Sequence, residues 1–159
     1  MRFTGVIIRS AETSDLEAVN RLLQEVLRVH HELRPDLFRP IGKKYTDKEL
    51  TAIFANPETP VFVYEDSGEV QGYMFCQLQR SNPGSMNPCL TLYIDDLCID
   101  PAHRRKGIAK ALYDRALDFA REKGCHNVTL HVWEGNDSAL SFYKRLGMKT
   151  QYTCLESVL

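Results

Sequence analysis

The stretch Arg104-Arg105-Lys106-Gly107-Ile108-Ala109 puts three cations and a glycine directly ahead of a run with helical periodicity. That order suits a pyrophosphate. A glycine lets the backbone approach an anion without a Cβ in the way. The first N–H groups of a helix are unpaired and lie at the positive end of its dipole, and the three cations can add charge-assisted contacts. On spacing alone, a solvated basic turn is the alternative. The stretch is not a Walker A loop, since no Gly-Lys-Ser/Thr follows, and it does not match GxGxxG. Upstream, Asp95 and Asp96 interrupt an otherwise apolar strand-like run, where Asp is disfavoured. Adjacent strand residues face opposite sides, so the spacing predicts that these two carboxylates do not share one task. Downstream, Tyr143 follows Phe142 on an amphipathic run. A phenol with a pKa of about 10 can protonate a departing thiolate yet stay protonated at neutral pH; core packing is the alternative.

The elements that must position these residues follow from periodicity and end signals. Residues 3–9 read as a strand. Ser14 with Glu17 forms a capping box ahead of a helix to about Glu32, carried by Leu16, Val19, Leu22, Leu23, Val26 and Leu27. Residues 33–45 read as a loop, and Thr46 with Glu49 opens a second helix to about Ala55. Residues 61–65 and 70–78 read as strands of a hairpin turning at Asp66-Ser67-Gly68, and 90–100 as a further strand. A helix is expected over 107–123, a strand over 127–133, a helix over 138–146 and a last strand over 151–158. The order β-α-α-β-β-β-α-β-α-β predicts an α/β domain with a mixed sheet, antiparallel early and parallel around the third helix. At 159 residues, close to the usual size of about 150 per domain, residues 1–159 are expected to form one domain.

The two chemical stretches resemble a known family. Arg104-x-x-Gly107-x-Ala109 is similar to the Arg/Gln-x-x-Gly-x-Gly/Ala signature of the GNAT superfamily of acyl-CoA-dependent N-acetyltransferases, with Ala109 in the third position. Residues 136–148, from Asn136 through Ser138, Ala139, Phe142 and Tyr143 to Gly147 and Met148, resemble the family's Asn-x-x-Ala-x-x-Phe-Tyr-x-x-x-Gly-Phe stretch. The resemblance implies a single-domain fold with a mixed, mostly antiparallel sheet splayed between two parallel strands and flanked by about four helices. It also implies that acetyl-CoA is the cosubstrate, its pyrophosphate wrapped by Arg104, Arg105, Lys106, Gly107, Ile108 and Ala109. Leu97, Cys98 and Ile99 resemble the segment whose backbone pairs with the pantetheine arm beside a β-bulge, with the Leu97 N–H as oxyanion donor. Asn136 matches a pantetheine-orienting position and also reads as a helix N-cap.

Acetyl transfer needs a base for the amine, a donor for the developing oxyanion and an acid for the thiolate. The resemblance places Tyr143 at the family's tyrosine facing the coenzyme sulfur, hence as general acid. Asp95 falls where similar polyamine-type enzymes have a glutamate that deprotonates the amine through water. Asp96 is then a substrate or structural contact; a carboxylate bonded to a loop backbone or a surface cation is the alternative for either. No histidine or cation beside Cys98 is evident to activate its thiol, so direct attack in a ternary complex is expected rather than an acetyl-cysteine intermediate.

The acceptor side is less explicit. In this family the first two helices usually frame the acceptor pocket, and that region here includes His30, His31, Arg34 and Arg39; a solvated helix end with Arg34 and Arg39 on the surface is the alternative. His30, Arg34, Asp96 and His131 are the candidate acceptor contacts. His131 and Trp133 share a strand face that lines the cleft or packs against the last helix or a second subunit. Adjacent histidines do not converge on one ion, so no metal is expected. The acceptor is expected to be a small cationic amine, with a protein N-terminus or lysine as the alternative.

Composition narrows the remaining classes. With 20 Lys+Arg against 21 Asp+Glu the formal net charge is −1, which argues against nucleic-acid and anionic-membrane partners. Five scattered cysteines without a CxxC pair suggest reduced thiols, and a cytoplasmic protein is expected. A homodimer through late strands is compatible with the fold. A non-catalytic acyl-CoA-binding regulatory module is the rival of another class, and the presence of Tyr143 counts against it.

Overall fold

The computed structural model describes residues 5–159. Strands β1 (Val6–Ser10), β2 (Val61–Asp66), β3 (Glu69–Ser81), β4 (Cys89–Ile99) and β5 (Asn127–Leu130) form one sheet in that spatial order. The first three pairings are antiparallel and β4 pairs β5 in parallel. The expected mixed α/β sheet is therefore present, and its one parallel step is spanned by α3 (Ile108–Glu122). Ser67 and Gly68, both at positive φ, make the tight hairpin between β2 and β3.

Alternation along the strands builds a core on each face. Val61, Val63, Tyr73 and Phe75 face α1 (Leu16–Leu33) and α2 (Asp47–Ala55), where they meet Val19, Leu22, Leu23 and Leu50. Phe62, Met74, Cys76, Leu92 and Ile94 face α3, meeting Ile108, Leu112, Tyr113 and Ala116, with Tyr143 of α4 (Asp137–Arg145) and Leu146 just after it alongside. Gly72 permits close packing at the start of α3: a Cβ there would lie 2.7 Å from Ile99 Cδ1 and 3.3 Å from Ile108 Cγ2.

Several expectations are corrected. The first helix starts through a 3-10 turn at Thr13–Asp15, with a Glu12–Asp15 capping box in place of Ser14–Glu17. The Asp15 carboxylate accepts from the Glu12 N–H and from Arg9 at 2.8 Å, and those two bonds draw the cap two residues earlier. The strand expected over 127–133 ends at Leu130. Of the strand expected over 3–9, residues 3 and 4 lie outside the described residues. The last strand, expected over 151–158, is absent. A strand needs a partner for its backbone, and this tail is tied by side chains instead. The Tyr152 hydroxyl lies 3.2 Å from His131 Nε2, and Glu156 pairs with Arg34 at 2.5 Å. Among the described residues no helix is long and apolar enough to cross a membrane.

Candidate active site

The β4–β5 pairing runs from Thr91↔Asn127 to Ile94↔Leu130 and stops there. Beyond it, Asp95–Ile99 remain in β4 but lack β5 as a neighbour. Parallel strands that part in this way leave backbone N–H and C=O groups along one open edge, the arrangement an extended ligand can pair with as an added strand. Leu97, Cys98 and Ile99 supply that edge.

A β-bulge sits at the same point. On the β3 side, Cys76 pairs with Ile94 and Phe75 with Asp96, so Asp95 is the extra residue. The bulge reverses the alternation that adjacent residues would otherwise obey. Leu92 and Ile94 face α3, whereas Cys98, after the bulge, joins the core under α1. Asp95 and Asp96 therefore come to the same face, contrary to the sequence expectation. Asp95 Oδ2 accepts from Lys44 Nζ at 2.8 Å and faces the Tyr45 hydroxyl at 3.4 Å. Asp96 Oδ2 accepts from the Tyr73 hydroxyl at 2.9 Å.

Burial, opposed by Lys44 and the Tyr73 hydroxyl, pushes the Asp96 carboxyl up to about 6. Burial pulls the Lys44 ammonium down, but its hydrogen bond to Asp95 and the charge of Asp96 outweigh this and raise it. Asp95, Tyr45, Thr59 and Gln77, over a floor of Phe75 and Cys76, line a pocket of about 30 Å³, room for a water molecule.

The strand leads directly into the basic loop. Asp100 caps a 3-10 turn at Pro101–His103 by accepting from the Ala102 N–H at 2.9 Å, and it pairs with Arg21 of α1. The Ala102 N–H, and then Arg21, hold its carboxyl below the usual range against the opposing effect of burial. Arg105, at φ 63°, and Gly107, at φ 78°, then turn the chain into α3. No side chain caps this helix, a Cβ on Gly107 would meet nothing within 4 Å, and Arg104, Arg105 and Lys106 are exposed. The first N–H groups of α3, at Ile108 and Ala109, have no helical acceptor. The loop thus fits a pyrophosphate.

Tyr143 is half-buried on α4, its ring 6.4 Å from that of Tyr113. Burial, with the charge of Asp96 adding, drives its phenol well above the ordinary value, so it holds its proton at neutral pH. Asn136 caps α4 by accepting from the Ala139 N–H at 3.3 Å, which realises the N-cap reading. Cys98 is buried with Sγ 3.4 Å from the Leu22 carbonyl, and burial pushes its thiol up to about 12. That thiol is poorly suited to nucleophilic attack.

The acceptor candidates separate into two groups. His30 packs against Phe38 at 4.9 Å between ring centroids, and burial followed by the charge of Lys44 lowers its pKa. The charge of Asp95 opposes this lowering. Arg34 is engaged elsewhere: it pairs with Asp36 and Glu156 and lies over the Trp133 ring at 5.6 Å. His131 bridges the Tyr93 and Tyr152 hydroxyls, each at 3.2 Å. Sequence reasoning missed Lys44, Tyr45 and the Arg21–Asp100 pair. Asp100 before Pro101 is a readable cap signal; nothing local marks Lys44.

Comparison with known proteins agrees with this geometry. A thialysine N-ε-acetyltransferase of Bos taurus is 32% identical over 153 residues, covering 89% of this chain and 83% of that protein. An uncharacterised N-acetyltransferase of Methanocaldococcus jannaschii is 29% identical over 118 residues, 70% of this chain. This chain spans about half the length of that relative, 51%. A crystal structure of a mutant of the BH1408 protein from Bacillus halodurans superposes with a TM-score of 0.92 at 29% identity, covering 96% of this chain and 99% of that one. The profile of the Acetyltransferase (GNAT) family matches residues 26–148. With that match over most of its length and the same fold in a solved relative, the chain belongs to the GNAT acetyltransferase family.

Proposed function

We propose that this protein is an acetyl-CoA-dependent N-acetyltransferase acting on a small cationic amine by direct attack in a ternary complex. The observation that carries the reading is the bulge at Asp95, which gathers Asp95 and Asp96 on one face where β5 leaves β4. Two carboxylates there attract an ammonium group, and the adjoining open edge leads to the anion-binding loop. The named activity of the Bos taurus relative, on thialysine, supports an amine of this kind.

Acetyl-CoA supplies an activated thioester. In this reading the N–H groups of Ile108 and Ala109, with Arg104, Arg105 and Lys106, hold the pyrophosphate, and the backbone of Leu97, Cys98 and Ile99 aligns the pantetheine arm. Asn136 orients that arm from the start of α4. Asp95 takes the amine proton through a water in the adjoining pocket, the Leu97 N–H donates to the developing oxyanion, and Tyr143 protonates the departing thiolate. His30 borders the acceptor, and Asp96 sets the local charge. Arg34 and His131 act indirectly, by tying the segment after α1 and the tail together through Asp36, Glu156 and Tyr152.

Thiol release from acetyl-CoA, measured against alkyl diamines, amino acids, aminoglycosides and peptides, tests the proposal. Turnover confined to small cationic amines is expected. Turnover confined to peptides would move the acceptor to a protein N-terminus or lysine, and coenzyme binding without turnover would favour a non-catalytic regulatory module.

A further inference from the structure

The ammonium of Lys44 already occupies the place that an acceptor's ammonium would take. It lies 2.8 Å from Asp95 Oδ2 and 5.4 Å from the centre of the Tyr45 ring, with the Asp96 charge also acting on it. Lys44 is not part of a regular element. It comes from the loop between α1 and α2, and its side chain is 45% exposed while that of Asp95 is 19% exposed. The cation is therefore held by the notch on a side chain that is nearly half exposed, and a flexible four-carbon side chain of this kind can swing out.

The pair opposes the reaction proposed above. To accept a proton, directly or through one water, an Asp95 oxygen must face the acceptor nitrogen, and the Lys44 ammonium holds Oδ2 at hydrogen-bond distance. Charge leads to the same end. Two carboxylates and one ammonium share the notch, so an acceptor ammonium that releases Lys44 leaves the local balance unchanged. One that binds beside Lys44 is left the second oxygen of Asp95 or Asp96, because Lys44, Tyr45 and Tyr73 all engage Oδ2, and it adds a further positive charge to the notch.

From this geometry we infer that Lys44 is an internal stand-in for the acceptor's ammonium, seated on Asp95 in the free protein and displaced when a cationic amine binds. Lys44 thereby sets acceptor affinity without touching the reacting atoms. It is a positioning residue whose ion pair every acceptor must first break. The inference rests on the acetyltransferase reading for its meaning, but it is read by binding alone.

The test is calorimetric titration of 1,5-diaminopentane into the coenzyme A-bound protein, comparing wild type, Lys44→Met and Lys44→Arg. Lys44→Met keeps the stem and removes the charge. It is expected to bind the diamine about two- to fivefold more tightly, the range expected for release from a partly exposed ion pair. Lys44→Arg, which can grip Asp95 at two points, should bind no more tightly than wild type. A gain in affinity is an effect that structural damage does not mimic. Unchanged or weaker binding by Lys44→Met, equal tightening by Lys44→Arg, or no binding to any of the three proteins would each overturn the inference. If diamine binds as expected but no amine releases thiol from acetyl-CoA, the enzymatic reading fails while the displacement stands.

Discussion

The Tyr73 hydroxyl donates a 2.9 Å hydrogen bond to Asp96 Oδ2, and both side chains are buried beneath α1 and α2. The bond replaces only part of the water that the carboxylate loses on folding. Burial therefore raises Asp96 from an ordinary value of 3.8 to about 6.

The sign of the resulting pH dependence follows from linkage. A carboxyl raised on folding favours the fold below pH 4, where it is neutral in both states, and this contribution is lost as the pH rises through 6. At pH 8 the buried charge costs on the order of 2–3 kcal/mol. Asp96→Asn removes that charge and can still accept from Tyr73. Thermal unfolding should therefore show a higher Tm for the variant at pH 8 and no gain at pH 4. Equal shifts at both pH values would show that the charge is not the cause.

Tyr143→Phe should lower kcat by roughly 10²–10⁴-fold with little change in coenzyme affinity, because the phenol is assigned to proton donation and not to binding. Its half-buried position and the charge of Asp96 keep it protonated, so the loss should be the same across neutral pH. Single-turnover kinetics with equilibrium binding of coenzyme A separates the two effects. An unchanged kcat would remove Tyr143 from the mechanism.

Asp95→Asn should abolish or displace the acidic limb of the kcat/KM profile and reduce kcat by about 10²-fold or more. Lys44 loses its ionic partner in the same variant, so the kcat profile at saturating acceptor is recorded beside it. An acidic limb identical to that of the wild type would assign the proton to another group.

Gly107→Ala meets no steric obstacle, yet it forces a side chain onto a residue at φ 78°. The strain should cost about 1–2 kcal/mol, seen as a Tm lower by about 2–4 °C per kcal/mol. It should also raise the KM for acetyl-CoA several-fold while the acceptor KM stays the same. A Tm loss with an unchanged coenzyme KM would assign the glycine to folding alone.

Asp100→Ala removes the cap of the turn preceding the basic loop and leaves Arg21 without its partner. A lost cap costs about 1 kcal/mol. Asp100 is held below the ordinary range, so its contribution is present above pH 4 and disappears as the pH falls through its folded value. The destabilisation measured in urea should be full at pH 7 and shrink in acid, the reverse of the Asp96 pattern. An accompanying rise in the coenzyme KM would show that the turn positions Arg104–Ala109.

Much of this protein is legible one segment at a time. The loop from Arg104 to Ala109, the Thr46–Glu49 cap, the Asn136 cap and the turn at Ser67-Gly68 all depend on interactions within a few residues, and each stands where its residues suggest. So does the alternation that sends Val61 and Val63 to one core and Phe62 to the other. What the sequence could not determine is how the carboxylates are paired and aimed. Strand alternation predicts opposite faces for Asp95 and Asp96, but that rule assumes an unbroken ladder, and the bulge arises from how β4 fits against Phe75 and Cys76. Lys44 reaches Asp95 across 51 positions of chain, a contact with no local signature. The missing last strand has the same origin: residues 151–158 have strand-like composition, but a strand exists only where another backbone accepts it. Short-range hydrogen bonds and periodicity set the elements and the basic loop proposed to hold the coenzyme; register between distant strands decided which side chains meet at the proposed acceptor site.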